Sequence, residues 1–265
     1  PTISAHYSEA RDPFPVGVFS ESETDAEAGL TARWGITPNV VLSGAANPDF
    51  SQVEADAFQL DVNEQYAIYY DEKRPFFLEG TEFFRTRLDV LYTRRLADPS
   101  WGVKLTGKEG GNAFGALAVR DELTGVVVSG RQGSYMADLG IESTGSVVRY
   151  RRDVGTSSTL GLIGTARGGD GYMNEVGGVD GTIDMTDSDM LGFQMLTTRT
   201  DYPDAFAEAH GQSPGVMGGT AYDVEYSHDS AAYDWWVAYR EVEPDFRADL
   251  GWRPRSDFRQ ARGGW

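Results

Sequence analysis

Four carboxylates early in the chain, Glu54, Asp56, Glu72 and Glu79, are the residues whose type could do covalent chemistry. Two carboxyl groups roughly 5 to 9 Å apart, with separated pKa values, can cleave a glycosidic bond as an acid and a base or nucleophile. Acidic pairs are abundant in a chain with 41 acidic residues, so the spacing alone does not select a catalytic pair. The same stretch is rich in rings, and Tyr66, Tyr69, Tyr70 and Phe77 are of the kind that stack on the faces of a carbohydrate ligand or fill a core. A third use needs no ligand. Asp49, Glu54, Asp56, Glu72, Lys73, Arg74, Glu79, Arg94 and Arg95 offer both signs at short separations. They predict a structural ionic network, because a buried charge without a partner is strongly destabilising.

Other chemistry finds less support. His6, His210 and His228 are scattered without metal-ligand spacing, so no metal site is expected. The acidic run Asp180, Asp184, Asp187 and Asp189 lacks the order of a calcium loop, and an incidental calcium between its side chains is the most it suggests. No GxSxG elbow, P-loop or dinucleotide fingerprint occurs, so no cofactor is expected. The glycine pairs at 110–111, 168–169 and 177–178 are read as turns. A formal charge of −18, from 23 basic and 41 acidic residues, argues against nucleic acid as a partner. The absence of cysteine removes thiolate chemistry and disulfides.

The elements that position these residues are strands. Ala26, Ala28, Leu30, Ala32, Trp34 and Ile36 alternate with Glu27, Gly29, Thr31, Arg33 and Gly35, and after a turn at 37–39 the pattern resumes through Val40, Leu42 and Gly44. Similar hairpins follow, with tight turns at 108–112, 153–158, 186–189 and 228–231. The intervening links, at 48–100, 121–144, 167–177 and 200–218, are read as longer. Short turns at one rim and long loops at the other are the pattern of outer-membrane barrels. One face of the strands carries Arg33, Lys104, Arg149, Arg151, Asp180, Asp184, Asp223, Glu225 and Arg240, and the other carries Trp34, Trp101, Tyr150, Tyr222, Trp235 and Tyr239. Full charges suit a wet interior and aromatics suit the membrane interface. A soluble sandwich or up-and-down barrel with its polar face in water is the competing fold. No apolar run approaches the roughly eighteen residues of a membrane helix, which leaves a strand-built span open.

About eleven strands are recognisable on these patterns. Ala248, Leu250 and Trp252, alternating with Asp249, Gly251 and Arg253, are read as the last, and 259–264 as non-alternating. An odd number implies an incomplete barrel, since an open edge in lipid leaves backbone groups unpaired.

The strings NPDFSQVEAD at 47–56, EKRPFFLEG at 72–80 and YTRRL at 92–96, with GLTARWGITPNV at 29–40, VKLTGKEGG at 103–111 and DFRADLGWRPRSDFR at 245–259, resemble an uncharacterised family of outer-membrane β-barrel domains. Its members follow a module like carbohydrate-binding family 9 in Gram-negative bacteria and are labelled membrane-associated hydrolases. The resemblance implies an all-β, antiparallel up-and-down transmembrane barrel in the cell outer membrane, continuing beyond the position that matches Arg259. It also implies an upstream carbohydrate-binding module as partner. The expectation is therefore a single β-barrel domain over 1–265, incomplete at its C-terminus, with 48–100 as an inserted plug-like segment. Its role would be to anchor or serve a carbohydrate-binding or processing module, with outer-membrane lipid around it and a small solute or oligosaccharide passing through. A membrane-associated glycoside hydrolase or a carbohydrate-binding β-domain is the alternative, and the segment is read as non-enzymatic.

Overall fold

Alternation of small or apolar residues with polar ones builds a single large antiparallel sheet. The computed structural model describes residues 2–8, 11–12, 18–19, 23–47 and 65–265, and side chains at 29–47 and 65–265. Twelve strands pair in the sheet: β1 (Thr2–Ser8), β4 (Glu23–Thr37), β5 (Val40–Ala46), β6 (Pro99–Glu109), β7 (Asn112–Asp121), β10 (Ser143–Val154), β11 (Ser158–Gly169), β12 (Tyr172–Asp184), β13 (Asp189–Asp201), β14 (Met217–Asp229), β15 (Asp234–Val242) and β16 (Phe258–Gly264). Each lies beside its neighbour in that order, so the topology is up-and-down, and β1 and β16 form the two edges of an open sheet. Two short hairpins lie outside it, β2 (Arg11–Asp12) with β3 (Val18–Phe19) and β8 (Gly125–Ser129) with β9 (Ser134–Asp138). The described helices are short: α1 (Pro75–Leu78), α2 (Asp204–Ala209) and two 3-10 turns at Thr81–Phe83 and Thr93–Arg95.

The two faces are inverted relative to a water-soluble sheet. On the outer face Trp34 is 66% exposed, Val148 62% and Val237 51%, whereas on the inner face Lys104 is 4% exposed and Arg149 3%. Trp101, Val103, Leu160, Leu162, Val179, Met195, Val224 and Tyr239 share the exposed outer face. Inside, Arg149 holds Asp180 through two hydrogen bonds of 2.6 and 2.7 Å. Arg167, fully buried, donates to Asp121 at 2.7 Å, to the Ser143 hydroxyl and to the carbonyls of Gly125 and Arg95. Asp223 accepts from both Arg87 and Arg240. Pairing satisfies these charges in place of solvent, which is the condition for burying them.

One apolar cluster joins the sheet to what it encloses. Ala45, Leu117, Val119, Val147, Ile163, Val176, Leu196, Ala221 and Val242 from β5, β7 and β10–β15 meet Phe76, Phe77, Phe84, Leu88, Val90 and Leu96 of the segment before β6. Phe246, Ala248 and Leu250 of the loop after β15 complete it. Gly102 and Gly115 on the inner face allow the approach: a Cβ at the first would lie 2.9 Å from the Phe76 ring, and at the second 2.8 Å from the Phe84 ring. A second cluster at one end of the sheet gathers Val126, Val128 and Ala137 of the β8–β9 hairpin with Tyr172, Tyr202, Phe206 and Met217.

Three expectations are corrected. The link at 167–177 is no long loop: β11 and β12 run through it and turn at Asp170-Gly171, where Gly171 takes φ of 64°. Glycines 168–169 and 177–178 therefore lie in strands, and Gly178 sits under the Leu196 side chain. Residues 248–253 form no strand. Their alternation reflects a loop buried on both sides, with Leu250 in the apolar cluster and Asp249 bonded to two tyrosines. The last strand is instead β16, whose polar sequence fits an edge where both faces are open and Arg259 pairs with Glu241 at 2.7 Å.

Candidate functional site

The described part of the segment between β5 and β6, residues 65–98, is organised around one mostly buried carboxylate. Glu72 Oε1 accepts from the backbone N–H groups of Lys73 and Arg74 and from Arg74 Nε, and its Oε2 accepts from Arg74 and the Thr93 hydroxyl. Arg74 also donates to the carbonyls of Leu96 and Thr93 and lies 4.3 Å over the Phe77 ring. Pro75 then starts α1, its fixed φ suiting the first helical position. The α1 carbonyl of Phe76 and that of Glu79 both accept from Lys104 on the wall. Further along, the Leu88 N–H donates to Gln194 Oε1 at 2.5 Å and the Tyr92 N–H to the Leu250 carbonyl at 2.6 Å. The Tyr92 hydroxyl donates to the Tyr70 carbonyl and accepts from the Tyr70 N–H, tying two stretches of irregular backbone together.

A cleft of about 360 Å³ lies in this segment, lined by Tyr69, Asp71, Glu72, Arg85, Asp89 and Tyr92, with Leu78, Leu91, Thr81 and Thr93 completing it. Tyr69, Tyr92 and Trp252 form a ring triad, with centroids 4.7, 5.5 and 5.1 Å apart, and Tyr69 presents a 53% exposed ring to the opening. The Arg95 guanidinium lies 5.7 Å from the Tyr92 ring centroid and 5.1 Å from that of Trp252. Among the described residues the side chains of Asp71, Arg85 and Asp89 form no ion pair or hydrogen bond, although all three line the cleft.

Local electrostatics separates the carboxyls. Burial alone would raise the Glu72 carboxyl, but hydrogen bonds and charge from Arg74, with the Thr93 hydroxyl, hold it below its ordinary value. At Asp89 burial dominates over the attraction of Arg253, Arg240 and Arg85, and its carboxyl is raised. Burial pushes the Tyr92 phenol up to about 12 and raises that of Tyr69, which also feels Asp89 and Asp71.

The predicted residues divide accordingly. Asp49, Glu54 and Asp56 lie outside the described residues. Glu72 and Arg74 form the buried clasp, Arg94 donates to the Asp71 carbonyl and covers Tyr70, and Arg95 contacts Met136 and two rings. Glu79 is 3.6 Å from Arg33 in an exposed pair, and Lys73 is exposed. Of the ring candidates, Tyr69 faces the cleft, Phe77 is buried beneath Arg74, Tyr70 is held by Arg94 and Tyr92, and the Tyr66 hydroxyl donates to the Arg131 carbonyl. The sequence did not point to Arg85 and Asp89 as cleft groups or to Trp252 as the ring packed against Tyr69 and Tyr92; the first two sit in the same aromatic-rich segment, which was the available signal. In the acidic run, Asp180 is committed to Arg149, and Asp189 accepts from Thr186, Tyr226 and His228.

No curated protein matches the chain. Among solved structures it is similar to in-vitro folded OmpT, an outer membrane protein of Vibrio cholerae, at 9% identity and a TM-score of 0.37, covering 99% of this chain and 92% of that one. The trimer form of OmpT gives 10% identity and a TM-score of 0.39, covering 99% and 97%. Likenesses this weak carry no conclusion about the chain. A family model described as a domain of unknown function, DUF5916, matches residues 6–141, just over half of the sequence. The chain belongs to the DUF5916 family.

Proposed function

We propose that this chain forms the wall of an outer-membrane β-barrel whose interior is filled by residues 65–98 of its own chain, which precede β6. The observation that carries this reading is the inverted sheet: exposed Trp34, Val148, Leu162 and Val237 outside, and paired Lys104, Arg149, Asp180 and Asp223 inside. In water the outer wall would leave a broad apolar patch, whereas hydrocarbon is its natural solvent and the paired charges then line the protected side. Lipid also demands that the edges of β1 and β16 find hydrogen-bond partners, through each other or through further strands. Such a barrel would anchor or serve a carbohydrate-binding or processing module at the surface of a Gram-negative cell.

Close contacts of the Phe76 and Phe84 rings with the wall at Gly102 and Gly115, and the Lys104 and Gln194 contacts, favour a filled interior over an open pore. Saturation of Glu72 by five hydrogen bonds argues against its service as nucleophile or base. Cell fractionation with heat-modified gel migration tests the reading. Extraction with the outer membrane by detergent, and faster migration before boiling, are expected. A product that remains in the aqueous phase without detergent would overturn it, and steady ion conductance in planar bilayers would overturn the filled interior.

A further inference from the structure

We infer that the cleft between Tyr69 and Asp89 is a binding site for a neutral, polyhydroxylated ligand, a short saccharide. The inference deepens the proposed association with carbohydrate handling, but it rests on the geometry of the cleft and not on the barrel's location. Three observations carry it. Tyr69 offers a half-exposed ring braced from behind by Tyr92 and Trp252, so a flat C–H face can stack on it without the ring having to be ordered first. Asp71, Arg85 and Asp89 line the same space with no side-chain hydrogen bond or contact ion pair among the described residues, Asp89 feeling Arg253, Arg240 and Arg85 only at longer range, whereas other charges of the segment, on Glu72, Arg74 and Arg87, are paired. Planar carboxylates accept from hydroxyl groups and a guanidinium donates to hydroxyl or ring oxygens, so this set complements a polyol on both sides of its hydrogen-bonding capacity.

The charges select against the alternatives. With Glu72 neutralised by Arg74, Asp71 and Asp89 still outnumber Arg85 in the cleft, and the chain as a whole is at −18, so an anionic ligand is repelled. A simple cation meets Arg85 in the same space. A volume of about 360 Å³ is at the lower end for small-molecule sites and suits one or two sugar rings. Leu78 and Leu91 supply the apolar part of the lining, and Thr81 a further hydroxyl.

Titration calorimetry on the full chain folded in detergent micelles tests this, with neutral gluco-, manno- and N-acetylglucosamine-based di- and trisaccharides as probes. A sulfated disaccharide, lysine and choline serve as competitors of other chemistry. At least one neutral saccharide is expected to bind. Tyr69→Ala should weaken it about tenfold, the scale of one lost stacking contact. Asp89→Asn should weaken it by about tenfold or more, as loss of a charge-assisted hydrogen bond does. Glu82→Gln, exposed on the 3-10 turn and outside the cleft lining, should leave binding unchanged. The inference is overturned if no neutral saccharide in the panel binds, if lysine, choline or the sulfated disaccharide binds more tightly, or if Tyr69→Ala and Asp89→Asn bind as wild type. Heat-modified migration of the same preparations separates the outcomes, since a folded barrel without saccharide binding removes the cleft assignment and leaves the barrel standing.

Discussion

Val148→Arg discriminates most sharply between a lipid-facing wall and a wall in water. Val148 is the sixth of the twelve residues of β10, close to the middle of the strand, and 62% exposed. Its cross-strand neighbours are Ala116 on β7 and Gly164 on β11, so no carboxylate stands directly opposite to receive a new guanidinium. At the midplane of a bilayer an outward arginine costs about 2–4 kcal/mol, whereas at an exposed site in water the same change falls within about 0.5 kcal/mol. The adjacent Arg149 calibrates the measurement. Arg149→Met strands buried Asp180, and the loss of one partner of a buried pair costs about 3–5 kcal/mol whatever lies outside the sheet. Denaturant titration of protein refolded into phospholipid vesicles, followed by tryptophan fluorescence, gives both values. The reasoning fails if Val148→Arg unfolds within about 0.5 kcal/mol of wild type while Arg149→Met shows its full loss.

The contact between wall and enclosed segment predicts that Gly115→Val destabilises by about 1–3 kcal/mol, since its Cβ would meet the buried Phe84 ring at 2.8 Å. Adding Phe84→Ala should recover part of that loss in a double-mutant cycle, and strict additivity in the same titration would count against the contact. The two cleft carboxyls should respond to pH with opposite signs. Glu72, held below its ordinary value, contributes stability above its unfolded pKa that is lost as pH falls through the lower folded value, so Glu72→Gln should be less stable at neutral pH and lose this acid dependence. Asp89, raised by burial, disfavours the fold once ionised, so Asp89→Asn should be more stable at neutral pH, with the gain vanishing below the unfolded aspartate range. Thermal unfolding from acid to neutral pH checks both, and parallel profiles for the two variants would contradict the assignment.

The hairpins were legible because period-two alternation reports directly on which side of a sheet a residue lies. Trp34 and Val148 fall outside and Lys104 and Arg149 fall within, as their alternation implies. Alternation misleads where a chain is buried on both sides without being a strand. Ala248, Leu250 and Trp252 alternate with Asp249 and Arg253, yet the loop they form has Leu250 in the apolar cluster and Asp249 under the hydroxyls of Tyr172 and Tyr202. Conversely β16 lacks alternation because its residues stand at an open edge, where Arg259, Gln260 and Arg262 are all exposed and backbone pairing with β15 alone defines the strand. The β11–β12 turn was hidden because the glycines of 167–178 mimic a loop in composition while lying in paired strands.

In the segment before β6, composition announced a mixture of rings and charges but not its arrangement. Glu72 and Arg74 are two residues apart, so their pairing is local and readable from sequence. Arg87 meeting Asp223, or Leu88 meeting Gln194, joins residues more than a hundred positions apart, and nothing in either stretch encodes the other.

What the amino-acid sequence determined by itself is the strand pattern and the assignment of faces, because side-chain direction in a strand depends only on position parity. Tertiary structure alone decided which charges were consumed by pairing and which stayed open in the cleft, because ion pairs and cavities depend on distances that close only when the wall and the segment it encloses come together.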